Sequence, residues 1–381
     1  MAQTQISPQM VLERLFTAPT VEREWFADSF LNQIPVPPEQ IIQDIQGQLG
    51  AFQQAQREGD RYRLQFERGS LQASIALNAQ GQIVGLLFQN LQANGVGLEE
   101  AIAQLQTFPG VTNLLVVETS TSTPTELAAL NADQPLAVGS SFKLSVLVAL
   151  RQEIEAGRLD WGDVVALESE DRSLPSGILQ TWFDGALLTV QSLATLMISQ
   201  SDNTATDRLM RLVGREAIAA LSPRNQPFLT TRELFVLKAP QNAALLQRYR
   251  EGTEDQRRQV LDEVAQTPLP AVSDFGEQPT ALDVEWFFTP QELCELMGEV
   301  SDLPLMQVNP GGGLVNPDDW AQVAFKGGSE PGVLNLTTAL TSTEGKHYCV
   351  SATWNNPDAV LDETRFYTLY GGLIAGLQTA P

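Results

Sequence analysis

The chain has 381 residues, 43% of them apolar and 18% charged, and a formal net charge of −23. That length exceeds what one hydrophobic core usually serves and predicts two domains. The acidic balance excludes nucleic acid and anionic membrane surfaces as partners, because phosphates would be repelled.

The first three helical patterns each follow the i, i+3, i+4 rule. They carry Val11, Leu12, Leu15 and Phe16; then Trp25, Phe26, Phe30 and Leu31; then Ile41, Ile42, Ile45, Leu49 and Phe52. Prolines 35, 37 and 38 separate the second from the third. Three strand patterns follow. Tyr62, Leu64 and Phe66 alternate, as do Leu71, Ala73, Ile75 and Leu77, and a turn at 78–81 leads into Ile83 to Phe88. Helices followed by a meander predict a small α+β domain over residues 1–93, with the boundary in the polar stretch 92–97. The second domain, 94–381, opens with a helix from Leu98 to Phe108 and a strand from Asn113 to Thr119. A turn-rich stretch with Pro124 and Pro135 follows, and then a long helical region from Ser140 to about Leu303. Strands at Ala321 to Lys326, Val333 to Thr341 and His347 to Trp354 precede a last helix, Glu363 to Leu377. This order predicts an α/β (α+β) fold with helices on both faces of a sheet.

The single histidine, His347, lies on one of these strands without an acidic or cysteine companion. Zinc sites built on two or three histidines are excluded, and no metal or cofactor is expected. A serine nucleophile would need another base. Cys294 and Cys349 each lie in an apolar stretch and read as buried thiols, with no disulfide framework indicated. The start, MAQTQISPQMVLERLF, lacks a basic segment followed by an apolar core. The expectation is a cytoplasmic protein or, alternatively, one exported with its leader already removed. No apolar run reaches the length of a membrane span.

Three short motifs could carry chemistry. Ser140-Ser141-Phe142-Lys143 opens a helix that is apolar nearly all round, so Lys143 should be poorly solvated. Burial disfavours its ammonium form, and a neutral amine one turn from Ser140 can take the hydroxyl proton. Taken alone, the motif reads first as a serine N-cap with a snorkelling lysine. Ser201-Asp202-Asn203 lies between two apolar helices. It is either a helix corner capped by Asp202 or Asn203, or a loop that presents Ser201 and Asn203 to a cleft. Lys326-Gly327-Gly328-Ser329 ends a strand. It is either an ordinary turn or a place where a ligand approaches the backbone of Gly327 and Gly328 beside an ammonium.

In this order the three motifs resemble the S-x-x-K, S-D-N, K-T-G set of class A β-lactamases and penicillin-binding proteins. The stretch LPSGILQTWFDGALLTVQSLATLMISQSDNTATDRLM is similar to the segment that leads into S-D-N in such serine hydrolases. The resemblance spans Leu98 to the C-terminus and implies a β-lactamase/transpeptidase-like sheet flanked by helices. It also implies acylation of Ser140 with Lys143 as base, proton relay through Ser201, positioning of substrate and lysine by Asn203, and positive charge from Lys326. The oxyanion hole it implies is the backbone amides of Ser140 and Ser329. The first ninety residues more loosely resemble the small steroid-isomerase-like or cystatin-like domain that precedes the hydrolase in a subgroup including a cephalosporin esterase of a clavulanic acid pathway.

Three departures bear on activity. No Glu-x-x-Leu-Asn loop follows Ser201, and the nearest glutamate, Glu233, fits a capping box with Thr230. Gly327 replaces the K-T-G threonine, and the strand VLNLTTALT lacks an arginine for a substrate carboxylate. The expected function is therefore a carboxylesterase on small acyl esters with weak β-lactam turnover. The alternatives are a genuine class A-like β-lactamase and a non-catalytic ligand-binding or sensing protein. The expected partner is a small-molecule ester or β-lactam, and the oligomeric state is open.

Overall fold

The computed structural model describes residues 7–34, 36–311 and 314–378, so Pro35 lies outside the described residues. The chain divides into two compact units, one containing the chain up to Ala101 together with Asp362 onward, the other starting at Ile102 and taking in Pro317–Leu361.

In the first unit, α1 (Pro8–Thr17) starts at Ser7, whose hydroxyl accepts from the Met10 amide at 3.2 Å. The short α2 (Asp28–Leu31) and the longer α3 (Pro38–Leu49) follow. The expected helix around Trp25 is only a 3-10 turn plus α2, because Phe26 forms a bridge to Ile83 instead of continuing the helix. Strands β1 (Phe52–Glu58), β2 (Arg61–Phe66), β3 (Gly69–Leu77) and β4 (Ile83–Ala93) form an antiparallel meander. Leu12, Leu49, Leu64, Phe66 and Ile83 are completely buried in its core. β1 escaped the sequence reading because most of its residues are exposed and polar.

In the second unit the elements run α4 (Leu98–Leu105, begun in the first unit), β5 (Val111–Glu118), β6 (Thr125–Leu130) and β7 (Leu136–Ala137). A 3-10 turn, Gly139–Phe142, leads into α5 (Lys143–Glu155). Next come β8 (Val164–Ala166), β9 (Leu187–Thr189), α6 (Val190–Ser199), α7 (Asn203–Val213), α8 (Arg215–Ala220) and α9 (Thr231–Lys238). Then come α10 (Ala243–Glu251), α11 (Glu254–Gln266), β10 (Phe287–Phe288) and α12 (Pro290–Val300). Strands β11 (Gln322–Glu330), β12 (Val333–Thr341) and β13 (His347–Asn355) precede the terminal helix α13 (Glu363–Leu377). The sequence suggested that α13 closes the second domain, but it groups with the first unit, where Gly372 O accepts from Val96 N at 2.8 Å.

The main sheet is antiparallel in the order β11-β12-β13-β5-β6, so β11 is an edge strand. β11 was expected to end at Lys326. It runs on to Glu330, because Gly327, Gly328 and Ser329 keep their pairing with Leu336, Asn335 and Leu334. The stretch read as turn-rich contains β6, paired with β5. Helix α5 packs against α12, and α12 against β12 and β13. Val146, Leu147 and Leu150 of α5 are fully buried. Among the described residues no helix is long and apolar enough to cross a membrane.

The two cysteines are a correction to the sequence reading. Both are buried, at 8% and 3% exposure, but they form a disulfide joining α12 to β13, with Cα atoms 5.8 Å apart. Packing of α12 on β13 makes the pair, and a sequence separation of 55 gives no hint of it. Cys294→Ser is expected to cost about 2–4 kcal/mol of unfolding free energy through the freed loop. Urea titrations of parent and variant check this, and a reductant should move only the parent's midpoint.

Candidate active site

The turn that carries Ser140 is held from two sides. Val138 N donates to Trp286 O at 3.0 Å, and the Phe142 ring stacks on Trp286 with centroids 3.8 Å apart. From the other side, β11 presses directly on the turn. A Cβ on Gly328 would lie 2.4 Å from Ser140 N and 2.5 Å from Ser141 N, and one on Gly139 would lie 3.1 Å from Ser329 N. These glycines bring the amides of Ser140 and Ser329 into one small region. Gly139 also has φ +49°, where a side chain is disfavoured. Ser140 is half-buried, Ser141 and Gly328 are buried, Gly327 is half-buried and Ser329 is exposed.

Lys143, at the start of α5, is completely buried. Its Nζ donates to Ser201 O at 2.6 Å, Asn203 Oδ1 at 2.6 Å and Ser201 Oγ at 3.1 Å. The contact with Ser140 that their spacing suggested is not among these bonds. A desolvated ammonium has three hydrogens to satisfy, and the loop before α7 offers three oxygens where Ser140 offers one. Burial and then the neighbouring Lys326 charge hold the Lys143 amine well below the ordinary lysine range, opposed by Asp207 and Asp202.

The loop before α7 is rigid by construction. Ser201 has φ +54°, a left-handed conformation that costs a serine about 1–3 kcal/mol and turns its carbonyl toward Lys143. Asp202 caps α7 through Ala205 N at 2.8 Å, and its other oxygen accepts from Ile178 N at 2.7 Å and Leu179 N at 2.9 Å. Asn203 Nδ2 donates to Leu174 O at 3.0 Å, and Ser176 Oγ donates to Ser201 O at 2.7 Å. The segment 174–179 therefore straps the loop in place. The sequence reading did not single out these strap contacts or Asp207, because each depends on elements far apart in the chain. Buried Asp207 accepts from Thr231 N, Thr231 Oγ1 and Arg232 N, each at 2.8 Å, and burial raises its carboxyl to about 7.

Lys326, on the buried face of β11, approaches Ser201 from the opposite side. Its Nζ donates to Ser201 Oγ at 3.1 Å and to Gly327 O. Burial lowers it to about 7. Ser201 Oγ thus stands between two desolvated amines. With Lys143 neutral and Lys326 charged, the hydroxyl can accept from Lys326 and donate to Lys143, so the three groups form a continuous path for a proton.

The lowered Lys326 pKa makes a stability prediction. Between about 7 and the ordinary lysine value of 10.5 the unfolded chain holds the proton and the folded chain does not, so this residue's contribution to stability improves as pH rises through that window. Below it the full cost of burying an ammonium is present. Lys326→Met is therefore expected to raise Tm more at pH 6 than at pH 9 while lowering activity. Calorimetry at the two pH values checks it, and an equal gain at both would contradict the burial argument.

Two other sequence candidates have structural roles. Glu233 closes a capping box with Thr230 and pairs with Arg215 at 2.6 Å. His347 is exposed, with Nδ1 3.1 Å from Thr341 Oγ1.

Residues 97–234, which contain Ser140, Lys143, Ser201 and Asn203, match the β-lactamase enzyme family. No curated protein matches the chain. Among solved structures it is similar to a β-lactamase from Desulfarculus baarsii DSM 2075, at 18% identity and a TM-score of 0.50 over 75% of this chain and 100% of that one. An ancestral class A β-lactamase gives 18% identity and 0.50 over 73% and 98%. The β-lactamase from Francisella tularensis gives 14% and 0.50 over 73% and 97%. At these identities the structures show the fold. Together with the family match over residues 97–234, which carry Ser140 and the loop before α7, they place a β-lactamase-like serine hydrolase fold in this chain.

Proposed function

We propose that this domain is a carboxylesterase acting on small acyl esters through an acyl-enzyme at Ser140. The observation that carries the reading is the desolvated Lys143 amine bound to Ser201 and Asn203, with Lys326 on the far side of Ser201 Oγ. The bond from Lys143 to Ser201 Oγ is the longest of its three, and a swing of the amine toward Ser140 gives up that one. Lys143 then takes the Ser140 proton as Oγ bonds to the ester carbon. The Ser140 and Ser329 amides hold the oxyanion. Ser201 passes the proton to the departing alcohol, Asn203 keeps Lys143 and the substrate aligned, and Lys326 holds the relay's charge. Gly327 and Gly328 line the edge along which substrate lies.

Substrate choice follows from what surrounds this core. Gly327 has no hydroxyl, and β12 carries no arginine to hold a substrate carboxylate. Glu233 is committed to Thr230 and Arg215, so it is not placed to activate water. A β-lactam would then acylate slowly and clear slowly, whereas a small acyl group leaves room for water. The family match favours a second reading, a class A-like β-lactamase with its deacylating group elsewhere. A non-catalytic sensor is the third.

Intact-protein mass spectrometry with a panel of p-nitrophenyl esters and a chromogenic cephalosporin separates these. The expected result is a Ser140 adduct that clears within minutes for acetyl and persists for the cephalosporin. Rapid multiple turnover of the cephalosporin would move the assignment to β-lactamase, and adducts that never clear would favour the sensor. The Cys294–Cys349 bond supports export over a cytoplasmic location, since disulfides persist in oxidising compartments. Absence of titratable thiol in the denatured, unreduced protein is the matching observation.

A further inference from the structure

A second group of buried ionisable side chains lies against the nucleophile turn and takes no part in the relay. Lys238, the last residue of α9, has 4% side-chain exposure and donates to Glu285 Oε1 at 2.5 Å and Glu330 Oε1 at 2.5 Å. The two carboxyls differ in access: the Glu285 side chain is fully sealed, and that of Glu330 is 19% exposed. Glu285 Oε2 is buried and accepts from no donor. Burial and then the Glu330 charge push the Glu285 carboxyl well above its ordinary range, and Glu330 is also its hydrogen-bonding neighbour. A proton on Glu285 Oε2, donated toward Glu330, accounts for the unpartnered atom. One proton shared by two carboxyls beside one ammonium leaves the group neutral overall.

The fold places this pair at the site. Phe287 pairs with Ala137 and Trp286 O accepts from Val138 N, so Glu285 directly precedes the residue that anchors the turn leading to Ser140. On β11, Gly328 is the residue in contact with the Ser140 amide, and Glu330 follows on the same strand face, about 7 Å further along. Glu330 also directly follows Ser329. Glu330 is therefore a partly exposed carboxylate next in sequence to Ser329 and two residues from the glycine that touches the Ser140 amide, while Glu233 is paired with Arg215.

We propose that Glu330, backed by Glu285 and Lys238, is the general base that clears the acyl-enzyme. This rests on the Ser140 reading above and supplies its missing second half. Glu330 takes a proton from water as the water oxygen bonds to the acyl carbon, and the oxyanion forms between the Ser140 and Ser329 amides. The bond from the acyl carbon to Ser140 Oγ then breaks, the proton held by Glu330 returns through water to Oγ, and a carboxylic acid leaves. Lys238 fixes the Glu330 carboxylate, and the proton held by Glu285 leaves Glu330 the ionised carboxyl of the pair.

The test separates acylation from clearance. With p-nitrophenyl acetate, Glu330→Gln is expected to give a burst of p-nitrophenol with an acylation rate within about threefold of the parent's. The following steady state should be slower by roughly 10²-fold, with an acetyl adduct on Ser140 accumulating in the mass spectrum. Glu330→Asp, which keeps the charge but withdraws it by one methylene, should clear the adduct at an intermediate rate. It serves as the second variant should the glutamine form not fold. An adduct that both variants clear at the parental rate overturns this inference alone. Equal slowing of acylation and clearance overturns it too, because it would mean that Glu330 only places Ser329. Absence of any Ser140 adduct in the parent and in both variants removes the nucleophile assignment and this inference with it.

Discussion

Lys143→Met is expected to lower kcat/KM for p-nitrophenyl acetate by roughly 10²- to 10⁴-fold, the range a positioned general base supplies. Ser140→Ala should lose at least as much, and the double variant little more than either single one, because the two groups act as a unit. The reason lies in the environment of the amine. In water a lysine holds its proton at neutral pH and is no base. At this site burial and the facing Lys326 charge favour the neutral form, so a base exists where solution chemistry would leave a cation. Methionine keeps the length and the packing against α7 but leaves Asn203 Oδ1 without its lysine donor and Ser201 O with Ser176 Oγ in place of two donors. A moderate loss of Tm is expected alongside the kinetic loss, so circular dichroism must accompany the assay. Parental activity in a folded Lys143→Met protein would remove this residue from the chemistry.

Gly328→Ala is expected to abolish measurable turnover and to cost about 1–3 kcal/mol of stability, the usual range for forcing a methyl into a filled space. An added Cβ would lie 2.2 Å from Val138 O, 2.4 Å from Ser140 N and 2.5 Å from Ser141 N. All three are backbone atoms, which cannot rotate away as the end of a side chain can. Either β11 leaves the nucleophile turn or the turn itself moves. In both cases the Ser140 and Ser329 amides no longer converge, and losing an oxyanion donor typically costs 10²–10³ in kcat. Gly298→Ala is the matching control. It lies within α12, where a Cβ meets nothing within 4 Å, so its activity should stay near the parent's. A Gly328→Ala protein with parental kcat would show that the oxyanion is held elsewhere.

The elements that were legible in the sequence share a physical trait: each buries a periodic face. Helix α13 and strand β12 matched their expected bounds because each presents a regular apolar pattern to a core. β1, with one buried residue in seven, showed no such pattern and was missed. The continuation of β11 through Gly327 and Gly328 was misread because paired glycines signal a turn unless a neighbouring strand holds them. The candidate site was legible to the extent that S-x-x-K, S-D-N and K-x-G are local strings. Its hydrogen bonding was not, and Lys143 turned to Ser201 and Asn203 rather than to Ser140.

Periodicity and the order of elements made the fold class legible, and the resemblance carried by three short motifs in register pointed to a serine hydrolase domain, because both rest on local pattern and chain order. Tertiary packing alone decided that Cys294 meets Cys349, that Ser201 Oγ lies between two lysines, and that Lys238 is buried between Glu285 and Glu330. Each of these joins residues tens to hundreds of positions apart, and their energetics come from burial. Desolvation is a property of the assembled interior, and no residue carries it in the sequence.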